Sequence, residues 1–404
     1  MAAVKRAHPL YSDTERRRHE AFALMMHFAA RTGLTAERPL TRYLWTDAFA
    51  VCNFLGISRA TGDLRCKELA LQLIERVHQK LGRHRADDSR SGYISGLSEE
   101  EGALHPTKGG LRIGKSLPER RVGEHYDRDL EWDRDGQYFH YLTKWMLALD
   151  QAARSTHQPR FNLWARELAE TAHRAFRSHP AGGKPGMIWK MSIDLSRPLV
   201  AAMGQHDPLD GYVTTAQLRA TAWALAPRAE GPSLADEAES YQQMLSPEDW
   251  TTADPLGLGG MLVDATRLAQ LVRREALPDL DVIASLLEAS LRGLEHYARH
   301  GSYKQAPAQR LAFRELGLSI GLSALDLLDF ELQAAPQNFS DSSHLRALLA
   351  GLRPFEEMGA ELTEFWVEPS NQHGRRWTEH LDINEVMLAT SLVPDGYLML
   401  PPLL

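Results

Sequence analysis

Along most of the chain apolar residues recur at three- and four-residue intervals, and alternating β-branched runs are nearly absent. The periodicity predicts a first amphipathic helix from about Ser12 to Thr32 and then a series of helix pairs. In each pair a nearly all-apolar helix precedes one with a charged face. The pairs are Trp45–Leu55 with Asp63–Leu81, Tyr138–Ala152 with Arg160–Arg177, and Pro208–Trp223 with Leu234–Leu245. Pro255–Val272 with Leu280–Arg299 and Gln309–Leu328 with His344–Met358 follow. A last apolar helix, about Thr378–Leu392, has no successor and can pair with the N-terminal helix, closing a ring.

A helix apolar on every side is buried, whereas one with a charged face borders solvent. Six of each kind predict two concentric layers. The inner helices start near Asp47, Asp135, Asp207, Asp254, Arg310 and Glu379, and this uneven spacing fits hairpins with variable loops better than a solenoid repeat. The expectation is an all-α chain: one (α/α)6 toroid over residues 1–404, six inner and six outer helices. Residues 85–134 interrupt the pattern with Gly, Pro and charged positions, and include Tyr93, Trp132 and Gly109-Gly110-Leu111-Arg112-Ile113-Gly114-Lys115. A loop this long predicts a folded lid over the barrel mouth.

Composition adds limits. The 404 residues are 43% hydrophobic and 25% charged, which excludes a disordered or collagen-like chain. With 46 basic and 53 acidic residues the formal charge is −7, which argues against a nucleic-acid partner. Two cysteines point to a reducing compartment, and Cys52 reads as a buried, inert thiol. The charged stretch from Met1 to Glu20 lacks a secretory pattern and no apolar run reaches membrane length, so the expectation is a cytoplasmic protein without a membrane partner. The 17 histidines show no metal-ligand spacing, and nothing calls for a metal or cofactor. The glycine-rich 109–115 run lacks P-loop spacing and a preceding strand.

This architecture resembles the six-hairpin, (α/α)6-barrel superfamily, which holds many glycoside hydrolases, the unsaturated glucuronyl hydrolases and the N-acylglucosamine 2-epimerases. Tyr43-Leu44-Trp45-Thr46-Asp47-Ala48-Phe49 is similar to the aromatic-plus-Asp start of an inner helix in the glucuronyl hydrolases, with Ala48 where they carry a second acid. No single family's full catalytic motif is matched. The resemblance implies a substrate pocket at the N-terminal ends of the inner helices, where unpaired amides and the positive dipole ends converge.

Polar and aromatic residues at those starts are the candidates. Trp45, Trp132, Trp189, Trp250 and Trp377 could ring a mouth and stack on sugar faces, or wedge helix ends together. His206-Asp207-Pro208-Leu209-Asp210 echoes Ala253-Asp254-Pro255-Leu256. Asp207 and Asp254 read first as caps before Pro, which leaves His206 and Asp210 as the functional candidates. Gln137, His140 (or Tyr141) and Lys144 share a helix face beside Tyr138, downstream of Asp133 and Asp135. The last inner helix offers His380, Asp382, Asn384 and Glu385, and the one before it Arg314 and Glu315, with an internal ion pair as the plain alternative for Arg314.

Glycosidic-bond hydrolysis needs one protonated and one ionised carboxylate. Asp47, Asp135, Asp210, Asp254, Asp382 and Glu315 are candidates. An epimerase or isomerase would need bases, for which His140, His206 and His380 are available. A barrel that binds a ligand or protein without turnover is the third alternative. The expected partner is a sugar-like small molecule, and the oligomeric state is open.

Overall fold

The computed structural model describes residues 12–178, 183–225, 230–274, 277–278 and 281–403. Part of the charged N-terminal stretch, and the expected helix start at Leu280, lie outside the described residues. Helix α1 (Asp13–Arg31) opens with a capping box in which the Ser12 hydroxyl accepts from the Glu15 amide and Glu15 reaches back to the Ser12 amide. The first inner–outer hairpin is α2 (Leu44–Thr61) and α3 (Leu64–Leu81), turned by Gly62 in the left-handed region with Asp63 capping α3. α4 (Phe139–Thr156) pairs with α5 (Pro159–Phe176), whose first turn carries Pro159, and α6 (Asp207–Leu225) pairs with α7 (Ala235–Gln243). α8 (Pro255–Arg274) pairs with α9 (Val282–His300).

The fifth hairpin departs from the expected spans. Its inner helix is α10 (Ala312–Ser323), the chain continues as α11 (Leu325–Ala334), and the outer layer is α12 (Ser342–Leu352) followed by α13 (Glu356–Val367). Pro354 explains the outer break: it sits in a 3₁₀ turn, Arg353–Phe355, because proline cannot donate to a continuing α-helix. α14 (Leu381–Leu392) is the last inner helix.

Neighbouring inner helices touch in the order α2, α4, α6, α8, α10, α14 and back to α2, so the ring is closed. α1 packs on α14, and Arg31 of α1 bonds Asp382 and Glu385, each at 2.6 Å. At the α14–α2 seam, Asn53 donates to the Val386 carbonyl and accepts from Thr390. At the α8–α10 seam a Cβ on Gly259 would stand 2.0 Å from the Gly317 carbonyl oxygen, so glycine lets the two backbones meet. Among the described residues no helix is long and apolar enough to cross a membrane.

Two small additions accompany the ring. Residues 85–134 carry short helices at Glu99–Leu104 and Arg128–Asp133 and bury Leu111 and Ile113 completely. Strands β1 (Gln137–Tyr138), β4 (Lys190–Met191) and β5 (Pro198–Val200) form a three-stranded antiparallel sheet in the order β1-β4-β5, beside a β2 (Arg177–Ser178) and β3 (Gly186–Met187) ribbon. After α14 the short helix α15 (Asp395–Leu398) leads a C-terminal segment back under the ring.

Candidate active site

A cavity of about 300 Å³ lies on the ring axis, and every inner helix contributes to its wall. Trp45 and Phe49 come from α2, His140 and Lys144 from α4, and Asp207 and Asp210 from α6. α8 adds Gly257 and Asp264, α10 adds Gly317 and Ile320, and α14 adds Met387. Most of these side chains stand in first or second helical turns, so the cavity lies toward the N-terminal, electropositive ends of the inner helices.

The ionisable groups are arranged unequally. Asp210 accepts from the Lys144 ammonium at 3.0 Å. Burial pushes the Asp210 carboxyl upward, but Lys144, with help from Arg267, outweighs it and holds the group below its ordinary value. Burial likewise opposes charge on Lys144, and Asp210 more than offsets that, so the pair is ionised. Asp207, one helical turn before Asp210, accepts from the Gly204 amide at 2.9 Å. Burial, reinforced by the charge on Asp210, raises its carboxyl to about 7. Asp264 is also raised, by burial and then by Asp210, and is bonded to Arg267 at 2.9 Å.

Two histidines share the cavity. Burial lowers His140 to about 4, so its ring is neutral, and neither ring nitrogen bonds a described residue. The His206 Nε2 stands 3.0 Å from the Trp250 carbonyl. A carbonyl only accepts, so Nε2 carries a proton, and in the neutral ring the lone pair is on Nδ1. Aromatic rings continue outward: Trp189 lies nearly parallel to His140 at 6.3 Å, and the half-exposed Trp132 sits 5.8 Å from Trp189. Tyr138 is buried behind them against His140 and Trp189.

Other sequence candidates sit elsewhere. Asp47 is buried away from the cavity, held by Arg42 and the Tyr43 amide, with burial raising it to about 6. Asp135 is a hub for the segment that precedes α4, accepting from Arg112, Arg85 and the amides of Gly114, Lys115 and Gly136. Glu315 is enclosed by Arg310, the Trp366 indole and Ser302. Asp382 bonds Arg31 at the ring closure, and Trp377 stacks on Trp366 in the core. Trp250 offers the cavity only its backbone bond to His206, and His380 packs on Phe313 outside the cavity wall.

The expected stripe on α4 divides. Gln137 is spent on the backbone of Gly109, Leu111 and Ile193, while His140 and Lys144 face the cavity. Asp254 does cap, accepting from the Gly257 amide, and it also takes the plain alternative for Arg314, an ion pair at 2.6 Å on the cavity rim.

Three ionisable lining residues escaped the sequence reading. Asp207 was legible, because its i, i+3 spacing to Asp210 puts both on one face, yet the cap reading absorbed it. Asp264 had a weaker signal, a lone acid in an apolar stretch. Tyr397 lies beyond the last recognisable helix and had none.

The ring of six hairpins with an axial cavity makes this chain an (α/α)6 toroid. Solved structures share the fold. A GH76 α-mannanase from Bacteroides thetaiotaomicron superposes with a TM-score of 0.52 at 9% identity, covering 95% of this chain and 96% of that one. A D-mannose isomerase gives 0.51 at 12% identity, covering 96% and 99%. A family 76 glycoside hydrolase from a bovine Bacteroides thetaiotaomicron strain gives 0.51 at 12%, covering 96% and 78%. No protein-family model matches the sequence, and the comparison with curated proteins gives no match.

Proposed function

We propose that the protein is a carbohydrate-active enzyme that hydrolyses a glycosidic bond in the axial cavity, with Asp207 as general acid and Asp210 as general base. One observation carries this reading. Two carboxylates one helical turn apart sit in opposite environments: Lys144 at 3.0 Å holds Asp210 ionised, while burial and the neighbouring Asp210 charge raise Asp207 to about 7, so its protonated form is available near neutral pH. Environments that push two acids apart assign the acid and base roles. Asp207 would give its proton to the leaving oxygen, and Asp210 would take one from the attacking water. Trp45, Phe49 and Trp189 supply faces for the apolar side of a sugar ring. The sugar-processing names of the fold's structural neighbours agree with this class of substrate.

A specific observation favours a second reading. His140 is neutral with an unclaimed ring, and His206 presents a lone pair on Nδ1, a combination suited to proton transfer at a sugar carbon in an isomerase or epimerase.

NMR of the enzyme with mannobiose and with D-mannose in deuterated water separates the two. Hydrolysis creates new reducing ends. Isomerisation or epimerisation exchanges the proton at C2 and leaves the glycosidic bond intact. Asp207→Asn and Asp210→Asn are each expected to lower hydrolysis by about 100-fold or more while still folded at the assay temperature, Asp210→Asn with a lowered thermal midpoint because Lys144 loses its counter-charge. Hydrolysis should also decline as pH rises through about 7, where Asp207 loses its proton. Full hydrolysis by both variants rules out this carboxylate pair.

A further inference from the structure

One residue of the cavity wall, Tyr397, comes from the C-terminal segment that follows the last inner helix. The C-terminal segment runs under the barrel at the C-terminal ends of α4 and α8. Gln151 donates to the Met399 carbonyl at 2.9 Å, Gln270 to the Leu398 carbonyl at 2.9 Å, and Arg154 to the Pro401 carbonyl at 3.3 Å. Gln270 also accepts from the Leu400 amide. At Gly396 the segment meets Gly56 of α2 so closely that a Cβ on Gly56 would stand 2.5 Å from the Gly396 Cα. Three polar side chains and a glycine–glycine contact thus fix the tail beneath the ring.

Tyr397 projects from this segment into the cavity. Its ring stacks on Phe49 at 4.3 Å and 19°. It is 5% exposed, and its hydroxyl has no hydrogen-bond partner among the described residues. The hydroxyl is open to the cavity and not sealed in the core, so a ligand placed there can bond it. Burial also pushes this hydroxyl up to about 12, so it stays protonated and able to donate. The cavity it closes, at about 300 Å³, is at the low end of small-molecule sites, the room of a single sugar ring.

Resting on the sugar-processing reading above, we infer that Tyr397 is a specificity-determining residue: the C-terminal segment forms the floor of the site, and its phenol hydrogen-bonds a hydroxyl at the deep end of one bound sugar ring. The Phe49 stack holds the phenol in position, and Lys144, Asp210 and Asp264 provide the polar side of the same chamber.

The experiment is calorimetric titration of the full-length protein and of Tyr397→Phe with D-mannose, D-glucose and D-galactose, then with the positional deoxy analogues of the tightest binder. Phenylalanine keeps the stack on Phe49, and thermal midpoints verify that both proteins are folded. The expected result is about tenfold weaker binding of the parent sugar by Tyr397→Phe, and equal affinity of the two proteins for one deoxy analogue, the one lacking the deep hydroxyl. Equal affinity of the two proteins for the parent sugar overturns the assignment of Tyr397 and leaves the sugar reading standing. A wild-type protein that binds none of the sugars overturns the sugar reading and this inference together.

Discussion

His78 on α3 accepts a hydrogen bond from the Trp145 indole at 3.1 Å, and burial lowers its ring to about 3. The unfolded chain takes up this proton near 6.5, whereas the folded one refuses it until about 3. Its contribution to stability is therefore complete above pH 6.5 and is lost as pH falls toward 3, at about 1.4 kcal/mol per pH unit. Asp47 and Asp207 act in the opposite sense. Their carboxyls are raised to about 6 and about 7, so the stability they add is full below their unfolded value near 3.8 and fades as pH rises through those points. Because the terms oppose one another, a single variant isolates one of them. Chemical denaturation at pH 6.5 and 5 should show His78→Leu losing about 2 kcal/mol less than the wild type between the two pH values. Equal losses would mean that His78 titrates normally in the folded protein. None of these partners is visible in sequence: an acid at a helix start reads alike whether it faces Arg42, as Asp47 does, or Lys144, as Asp210 does.

At the scale of elements, the order and pairing of the helices were legible because burial on all sides or on one side leaves a direct mark on composition. α1 could be assigned as the partner of α14 for the same reason, each being a helix without a neighbour in the chain. Boundaries were less legible where local breaks intervene, at Ala324 between α10 and α11 and at Pro354 between α12 and α13. The close α8–α10 contact makes a paired prediction. Gly259→Ala forces a Cβ onto the Gly317 carbonyl and should cost about 1–3 kcal/mol of stability. Gly260→Ala, the next residue, meets nothing within 4 Å and should be neutral or stabilise by up to about 1 kcal/mol, the ordinary gain of replacing glycine in a helix. Thermal unfolding of the two variants checks the contrast, and equal effects would contradict the glycine-mediated seam.

Over the whole molecule, the ring turns six scattered helix starts into one cavity, and this is also where sequence reasoning ran short. Periodicity places a residue on a face, but the azimuth of that face around a closed ring depends on long-range contacts. Asp210, His206, His140 and Lys144 turn inward. Asp135 instead anchors the 109–117 loop, and Glu315 is locked to Arg310, although both stand at equally promising places in the chain. The floor was invisible for a related reason: Tyr397 reaches the axis only because the tail returns beneath the barrel.

The central claim is that the axial cavity holds a sugar with its scissile bond beside Asp207 and Asp210. A crystal structure of Asp210→Asn grown with mannobiose tests it most directly. The account predicts one ring between Trp189 and Tyr397, with the glycosidic oxygen within hydrogen-bond distance of Asp207. A disaccharide bound outside the cavity, or inside it with its glycosidic oxygen beyond reach of every carboxylate, would contradict it.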